Sequence, residues 1–588
     1  MPDVTTVEQL KDMFDRVYDS NEYQQRRGRW RRYLKEYMGD WWNESVLPMN
    51  ESKVTFNLLF STIETNAPLL TDNKPMWTVL ARFPHHSAIA DNLTMASRAV
   101  WDKLDLDFTN LMAVKDSQLF GTAIYKVYFD PDKDEIAVDI IDPTTFVIAP
   151  GYEDLWDAAW CGQKVRRPLE WVIRMYPDKK DELTSDPGKD GDEALWPKED
   201  IESEEEFVTV YEIWMCDDTL VDVKAEIDGN EVTEQQPAYP YGRIVTFTED
   251  NILLDDRPSP FRHGKPMYVD LKDYPVPHRF WAMGEADQIE SLVREHNLRL
   301  QHVVDTARKY DKKNFILSEE AGIKESKFKE ALRTGDNVLL ARDFHKDMLA
   351  EIPTPQVDQA TLGLLDMIPK FVEEITGVTD VTKGIVGKKS RQSASEISAL
   401  MESSYTRTRQ RVRNLEWTIK RLLTLIIELM QQFYTEPRPY QSREGDMVNY
   451  DVFTSDSSLV LEQLKPNVPE AQAGEIEPQL TKEEQMQISD YQKLLEDFMD
   501  KDEIHITYEL QIDTNSTLPL DKQSLANVSL RLAEMKILPE EAVLEILRIP
   551  NKDRYAKMLE TRRQEEANSK APPKPQPSPQ QPPMPGGM

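Results

Sequence analysis

Residues 377–392 concentrate most of the chemistry that spacing alone offers. They include Gly384-Ile385-Val386-Gly387-Lys388-Lys389-Ser390, with Lys383 before and Arg391 after. Glycines beside lysines and a hydroxyl are the ingredients of a loop whose backbone N–H groups curl around phosphates. The arrangement does not fit a nucleotide. The glycines are three apart rather than five, an extra lysine separates Gly387-Lys388 from Ser390, and a helical pattern precedes the loop. What remains is four cations, Lys383, Lys388, Lys389 and Arg391, on an exposed segment suited to salt-dependent contact with nucleic-acid phosphate. The plainer reading is an ordinary basic loop.

Other reactive groupings are missing. H-E-x-x-H, G-x-S-x-G and paired Cys-x-x-Cys are absent, so neither a catalytic site nor a metal site nor a cofactor is expected. His296 and His302 have no carboxylate or cysteine partner at ligand spacing. Cys161 and Cys216 are too few for a disulfide framework and fit a reducing compartment. In Arg26-Arg27-Gly28-Arg29-Trp30-Arg31-Arg32-Tyr33, arginine and aromatic residues interleave as in a base-stacking platform. Nearby Asp12, Asp15, Asp19, Glu22 and Glu36 can neutralise it, which favours a solvated amphipathic helix. The whole chain carries 105 acidic against 71 basic residues, a net charge of −34. Such a surface repels nucleic acid at long range, so any DNA contact should be confined to local basic elements.

The elements around the basic loop are helical. Ile397, Met401, Tyr405, Thr408, Val412, Leu415, Ile419, Leu422, Ile426, Met430 and Phe433 recur in steps of three and four over residues 393–434. Ser393 and Glu396 mark a capping-box start and Pro437 a stop. The predicted rod is roughly 60 Å long, longer than an ordinary domain core is wide. Arg407 with Arg411, and Arg409 with Arg413, fall on roughly opposite faces of it. They cannot all point the same way, so at least one pair should meet carboxylates of its own or a neighbouring subunit. Helices are also predicted near 284–310 and 357–376, the second stopping at Gly377, with an insert at 311–356 carrying strand candidates NFILS and NVLLA between them.

The N-terminal part reads as an α+β region of about 280 residues. Helical patterns cover 7–38, 55–70 and 86–119, and TAIYKVYFD with EIAVDIIDP form a hairpin. Residues 178–206 form an acidic insertion, and strands are expected at Phe207–Met215 and Arg243–Thr248. Past the long helix, Ser458–Leu461 and Ile504–Ile512 read as strands flanking a helix at 481–500. A small helical region follows at 520–566, and eight prolines mark the last 18 residues as a tail without a core. The most apolar window, Leu422 to Met430, contains Glu428 and is far short of a bilayer span. The N-terminus carries acids and no apolar signal, so a soluble, non-membrane chain is expected.

This order of elements resembles the portal protein of tailed double-stranded DNA bacteriophages. The resemblance is carried by Gly284-Glu285-Ala286-Asp287-Gln288-Ile289-Glu290 with Asn297, Ile375-Thr376-Gly377-Val378-Thr379-Asp380, Ser393-Ala394-Ser395-Glu396 and Ser516-Thr517-Leu518-Pro519. Lys115–Gly121, its strand pair and Asp142-Pro143 are similar too. The resemblance implies an α+β, mainly helical portal-like fold with long stem and tunnel helices and small mixed-sheet wing and clip regions. It assigns 1–280 to the wing, 281–310 and 357–376 to the stem, 311–356 to the clip, 377–392 to the tunnel loop and 393–434 to the long helix. Residues 435–515 become wing return strands, 516–570 a crown-like region and 571–588 the tail.

The same resemblance implies a non-enzymatic homo-oligomeric ring of about twelve copies at one capsid vertex of the virion, assembled in the host cytoplasm. The ring would be the channel for DNA packaging and ejection. Its partners would be double-stranded DNA, the terminase, a major capsid or scaffolding protein and head–tail adaptors. Lys383, Lys388, Lys389 and Arg391 would be the tunnel-loop contacts, and Arg407, Arg409, Arg411 and Arg413 the channel or intersubunit candidates. A nucleic-acid enzyme or packaging motor subunit would need a nucleotide motif that is absent, and another head–tail adaptor would be smaller.

Overall fold

A computed structural model describes residues 6–42, 52–72, 74–186, 206–227, 230–310, 315–317, 324, 326, 349–351, 357–378, 394–444, 447–466, 482–498 and 501–512. The chain divides into one compact unit of Met1–Glu436 with Thr454–Pro519 and another of Pro437–Phe453 with Leu520–Met588. The basic loop, residues 187–205 of the acidic insertion, the NVLLA run and everything after residue 512 lie outside the described residues.

The first unit opens with α1 (Val7–Tyr18) and α2 (Asn21–Tyr37), two helices where the sequence pattern suggests one. Ser20, in an extended conformation, breaks the run, and its hydroxyl accepts from the N–H of Tyr23 as a new N-cap. Next come α3 (Leu58–Thr71), β1 (Trp77–Ala81), a single 3₁₀ turn at Pro84–His86, α4 (Ser87–Lys103) and α5 (Leu106–Phe120). The pattern over 86–119 is divided at Asp105, whose φ of 48° is left-handed.

The expected hairpin is present as β2 (Thr122–Asp130) and β3 (Glu135–Ile141). After it come β4 (Phe146–Ile148), β5 (Trp160–Pro168), α6 (Leu169–Met175), β6 (Phe207–Met215), β7 (Leu220–Ile227), β8 (Asn230–Pro237), β9 (Arg243–Thr248), β10 (Leu253–Pro258) and β11 (Tyr268–Lys272). β11 pairs antiparallel with the other edge of β2, and a five-stranded antiparallel sheet runs in the order β10-β9-β6-β5-β4. Phe14, Tyr18, Tyr23 and Trp160 pack with Tyr211 and Phe247 to join α1 and the start of α2 to that sheet. Large aromatic side chains dominate this core, each contributing on the order of 1.5–3 kcal/mol when fully buried.

The helical part of the unit consists of α7 (Glu285–Tyr310), the short pair β12 (Phe315–Leu317) and β13 (Leu349–Glu351), α8 (Gln359–Thr376) and α9 (Ala394–Phe433). Gly377, with φ of 75°, ends α8 as a left-handed cap. α7 and α8 pack side by side, and Trp30, Tyr33, Leu59, Ile63 and Phe120 pack around Ile289, Val293 and Val372 at their base. α9 is 40 residues long. Its last five turns are buried on nearly every side, against β2, β11 and a late strand described below.

In the second unit the described residues form one antiparallel hairpin, β14 (Arg438–Glu444) with β15 (Met447–Phe453). The first unit resumes with α10 (Ser457–Gln463), α11 (Lys482–Phe498) and β16 (Tyr508–Ile512), which pairs with β1. The strand expected at Ser458–Leu461 is therefore a helix. The Asp456 carboxylate accepts from the N–H groups of Ser458 and Leu459 and so starts a helical turn, an effect that the short apolar run conceals. Among the described residues no helix is long and apolar enough to cross a membrane.

Candidate functional site

The base of the α7–α8 pair is set by two glycines. Gly121 ends α5 with φ of 83°, and a Cβ there would overlap the backbone carbonyl of Ala282. One on Gly284 would overlap the carbonyl of Gln118, so the end of α5 and the start of α7 are in backbone contact. The Asp287 carboxylate accepts from the Gly284 N–H at 3.0 Å and from the Tyr33 hydroxyl at 2.9 Å. Arg29 faces Asp287 at 3.6 Å, Arg32 pairs with Glu290 at 2.9 Å, and the Asn297 side chain accepts from the N–H of Phe56 at 2.8 Å.

The basic, aromatic run of α2 is thereby accounted for. Trp30 and Tyr33 are core residues, while Arg29 and Arg32 meet acids of α7 rather than the nearby acids expected from sequence. Arg26 does pair with Glu22, at 3.0 Å. Glu36, buried near Glu290, is pushed up to about 7, mainly by burial and secondarily by that second carboxylate.

α9 is held to the same base by ions. The Arg411 guanidinium donates to Asp273 at 2.5 Å and to Glu285 at 2.8 Å, and Asn66 and the Tyr274 hydroxyl also donate to Glu285. Arg411, Asp273 and Glu285 are all 5% exposed or less. Two carboxylates thus share one guanidinium, and burial raises Asp273 above the ordinary carboxylate range although Arg411 opposes it. Ten residues on, about 15 Å along the helix, Arg421 binds Asp154 with two hydrogen bonds and lies between the rings of Trp156 and Trp417. Burial works upward on Asp154, but the Arg421 hydrogen bonds hold it below its usual value.

These contacts bear on the four arginines of the long helix, at least one pair of which is expected to meet carboxylates of its own or a neighbouring subunit. Arg411 is enclosed by its own chain, and both of its carboxylate partners, Asp273 and Glu285, come from the same subunit. Arg409 and Arg413 are exposed, on the helix face away from Arg411. The side chain of Arg407, and Lys383, Lys388, Lys389 and Arg391 entirely, lie outside the described residues.

Two further features complete the surface. On α8, Ile368 and Val372 are buried, whereas Leu364, Met367 and Phe371 are each at least 40% exposed and fall along one adjacent stripe. Elsewhere, His85 and His86 of the 3₁₀ turn both direct Nε2 at one carboxylate oxygen of Asp497 on α11, at 2.8 and 3.1 Å. Burial first, then the neighbouring His85, lowers the His86 value, and hydrogen bonds led by that from His85 lower Asp497. Sequence reading passed over this trio because its members are 411 and 412 residues apart. Its one local signal was the His85-His86 dipeptide after Pro84.

A sequence profile of the family described as phage P22-like portal protein matches residues 11–586. No curated protein matches the chain. Among solved structures, one titled "Virion of native gene transfer agent (GTA) particle" aligns at 8% identity over 63% of this chain and 77% of that one, with a TM-score of 0.33.

Proposed function

Since the chain belongs to the phage P22-like portal protein family, we propose that about twelve copies close into a ring at one capsid vertex. Double-stranded DNA is packaged and later ejected through that ring. The observation that carries the reading is the family match across almost the whole chain. A portal protein is a structural component of the virion capsid, and no catalytic step is assigned to this one.

Physical features support the ring. The exposed stripe of Leu364, Met367 and Phe371 lies on a helix already packed on its other side, so a neighbouring copy can cover it without rearrangement. A closed ring repeats one such contact around an axis and leaves no copy with an open face. Transferring these half-exposed side chains out of water contributes roughly 1 kcal/mol each. In the family's terms α7 and α8 are the stem, residues 311–356 the clip on which the terminase and later the head–tail adaptors dock, and 377–392 the tunnel loop. A major capsid or scaffolding protein surrounds the ring.

DNA must slide through such a channel, and a wall that binds phosphate tightly would stall it. A chain of net charge −34 with four loop cations per copy, Lys383, Lys388, Lys389 and Arg391, gives weak contacts that exchange along the duplex. Changing all four to Ser tests this. The variant is expected to form rings and procapsids but to package less DNA, or lose it afterwards, with a defect that varies with ionic strength. Normal DNA content and infectivity would remove these residues from the function. Native mass showing only monomers across concentration and salt would overturn the ring itself.

A further inference from the structure

We propose that His85, His86 and Asp497 form a binding site for one divalent transition-metal ion of the zinc, cobalt or nickel kind. Among the described residues, these are the His, Cys, Asp or Glu side chains that come together closely enough to hold a metal, with ligand atoms all within 4.8 Å of one another.

Two imidazole nitrogens and a carboxylate oxygen match the donor preferences of borderline cations and not those of magnesium or calcium. A tetrahedral ion with bonds near 2.1 Å spaces its ligand atoms by roughly 3.3 Å. The observed Nε2 to Oδ2 separations of 2.8 and 3.1 Å lie within a few tenths of an ångström of that spacing. The two imidazoles converge on a single carboxylate oxygen.

The ligands are also held in place. His86 is buried, with its ring against those of Phe83 and Phe498, and its N–H donates to the carbonyl of Phe83 to close the 3₁₀ turn. His85 packs on the Phe83 ring and lies 4.3 Å from the His86 ring, centroid to centroid. The Asp497 side chain is 45% exposed, so water can reach the remaining coordination positions. Lys501, close enough to act on His86, opposes a cation and weakens the site.

An ion here would fasten the turn after β1 to the end of α11, next to the antiparallel pairing of β1 with β16. That region joins residues more than 400 positions apart. Binding to the folded chain alone raises its stability by mass action.

The test uses the full chain, stripped of metal by dialysis against chelator. Titration with Zn²⁺ by calorimetry and with Co²⁺ by visible absorption is expected to show one site per chain and a higher melting temperature with metal. His85→Gln and Asp497→Asn should each weaken that site at least tenfold. Absence of binding by wild type at about 100 µM ion, which would fill a site of Kd about 10 µM to roughly nine-tenths, or equal affinity and stoichiometry in both variants, would overturn the proposal. Should either variant fail to fold, X-ray absorption on the Zn²⁺-loaded wild type decides. Two imidazoles in the metal shell support the site, and any other number sinks it.

Discussion

α8 and α9 both carry apolar stripes of helical period, yet the chain itself covers only one of them fully. On α9 the positions Leu415, Ile419, Leu422, Ile426 and Met430 are at most 4% exposed, and sheets of the same subunit do the covering. On α8 the side facing α7 is equally dry, but Leu364, Met367 and Phe371 remain open. Periodicity reports that a helix has a face to bury. It cannot report whether the cover comes from the same chain or from the next copy, because that depends on which strands the topology returns to the helix.

The sharpest way to break this comparison is to charge the closed stripe. Leu422 is completely buried, so Leu422→Asp places a carboxylate where neither water nor a cation is available, at a cost of several kcal/mol. Soluble yield and melting temperature should both collapse. A ring-forming variant with wild-type melting would show that the α9 stripe is not core.

A somewhat smaller loss is expected from the ions beside that stripe. Arg411→Met keeps the unbranched stem of the side chain but leaves Asp273 and Glu285 buried without their cation, a change worth about 3–5 kcal/mol. The pH dependence has a definite sign. Asp273 is already raised in the folded state from its ordinary value to about 7, so the native chain takes up its proton first. The cost of its charged form is absent below about pH 4 and grows as pH rises toward 7. Without Arg411 the carboxyl rises further. The deficit of the variant, measured by denaturant melts, should therefore be largest at pH 8 and shrink on acidification. A deficit that grew with acid would mean that the guanidinium is not what compensates these carboxylates.

Legibility follows the same division between local and distant causes. The β2–β3 hairpin, the stop of α8 at Gly377 and the extent of α9 were readable because turn residues, caps and period act within a few positions. The break at Ser20 and the helix at Ser457–Gln463 were misread, since in each a single capping side chain overrode an apolar pattern. The partners of Arg411 lie 126 and 138 residues upstream, and those of Asp497 more than 400, so no spacing rule could connect them. Gly284 stood out only within a family-like stretch. Its physical reason, contact with the backbone of α5, becomes visible once both elements are placed.

The smallest effect on folding, and the one that separates the two helices most cleanly, belongs to the open stripe. Leu364→Ser with Phe371→Ser exchanges exposed apolar side chains for small polar ones, and Ser is a tolerable helix residue at both positions. Within a single chain nothing described packs over this stripe, so the melting temperature of the monomer should move by no more than about 0.5 kcal/mol per site implies. Assembly should respond quite differently. If a neighbouring copy covers the stripe, each of the repeated contacts loses apolar area at once, and a closed ring multiplies a small loss by the number of its interfaces. Native mass spectrometry should then show folded monomers where wild type gives rings, most clearly at low protein concentration. Melting as severely impaired as in Leu422→Asp would instead assign the cover to the same chain, and α8 would join α9 as a core helix.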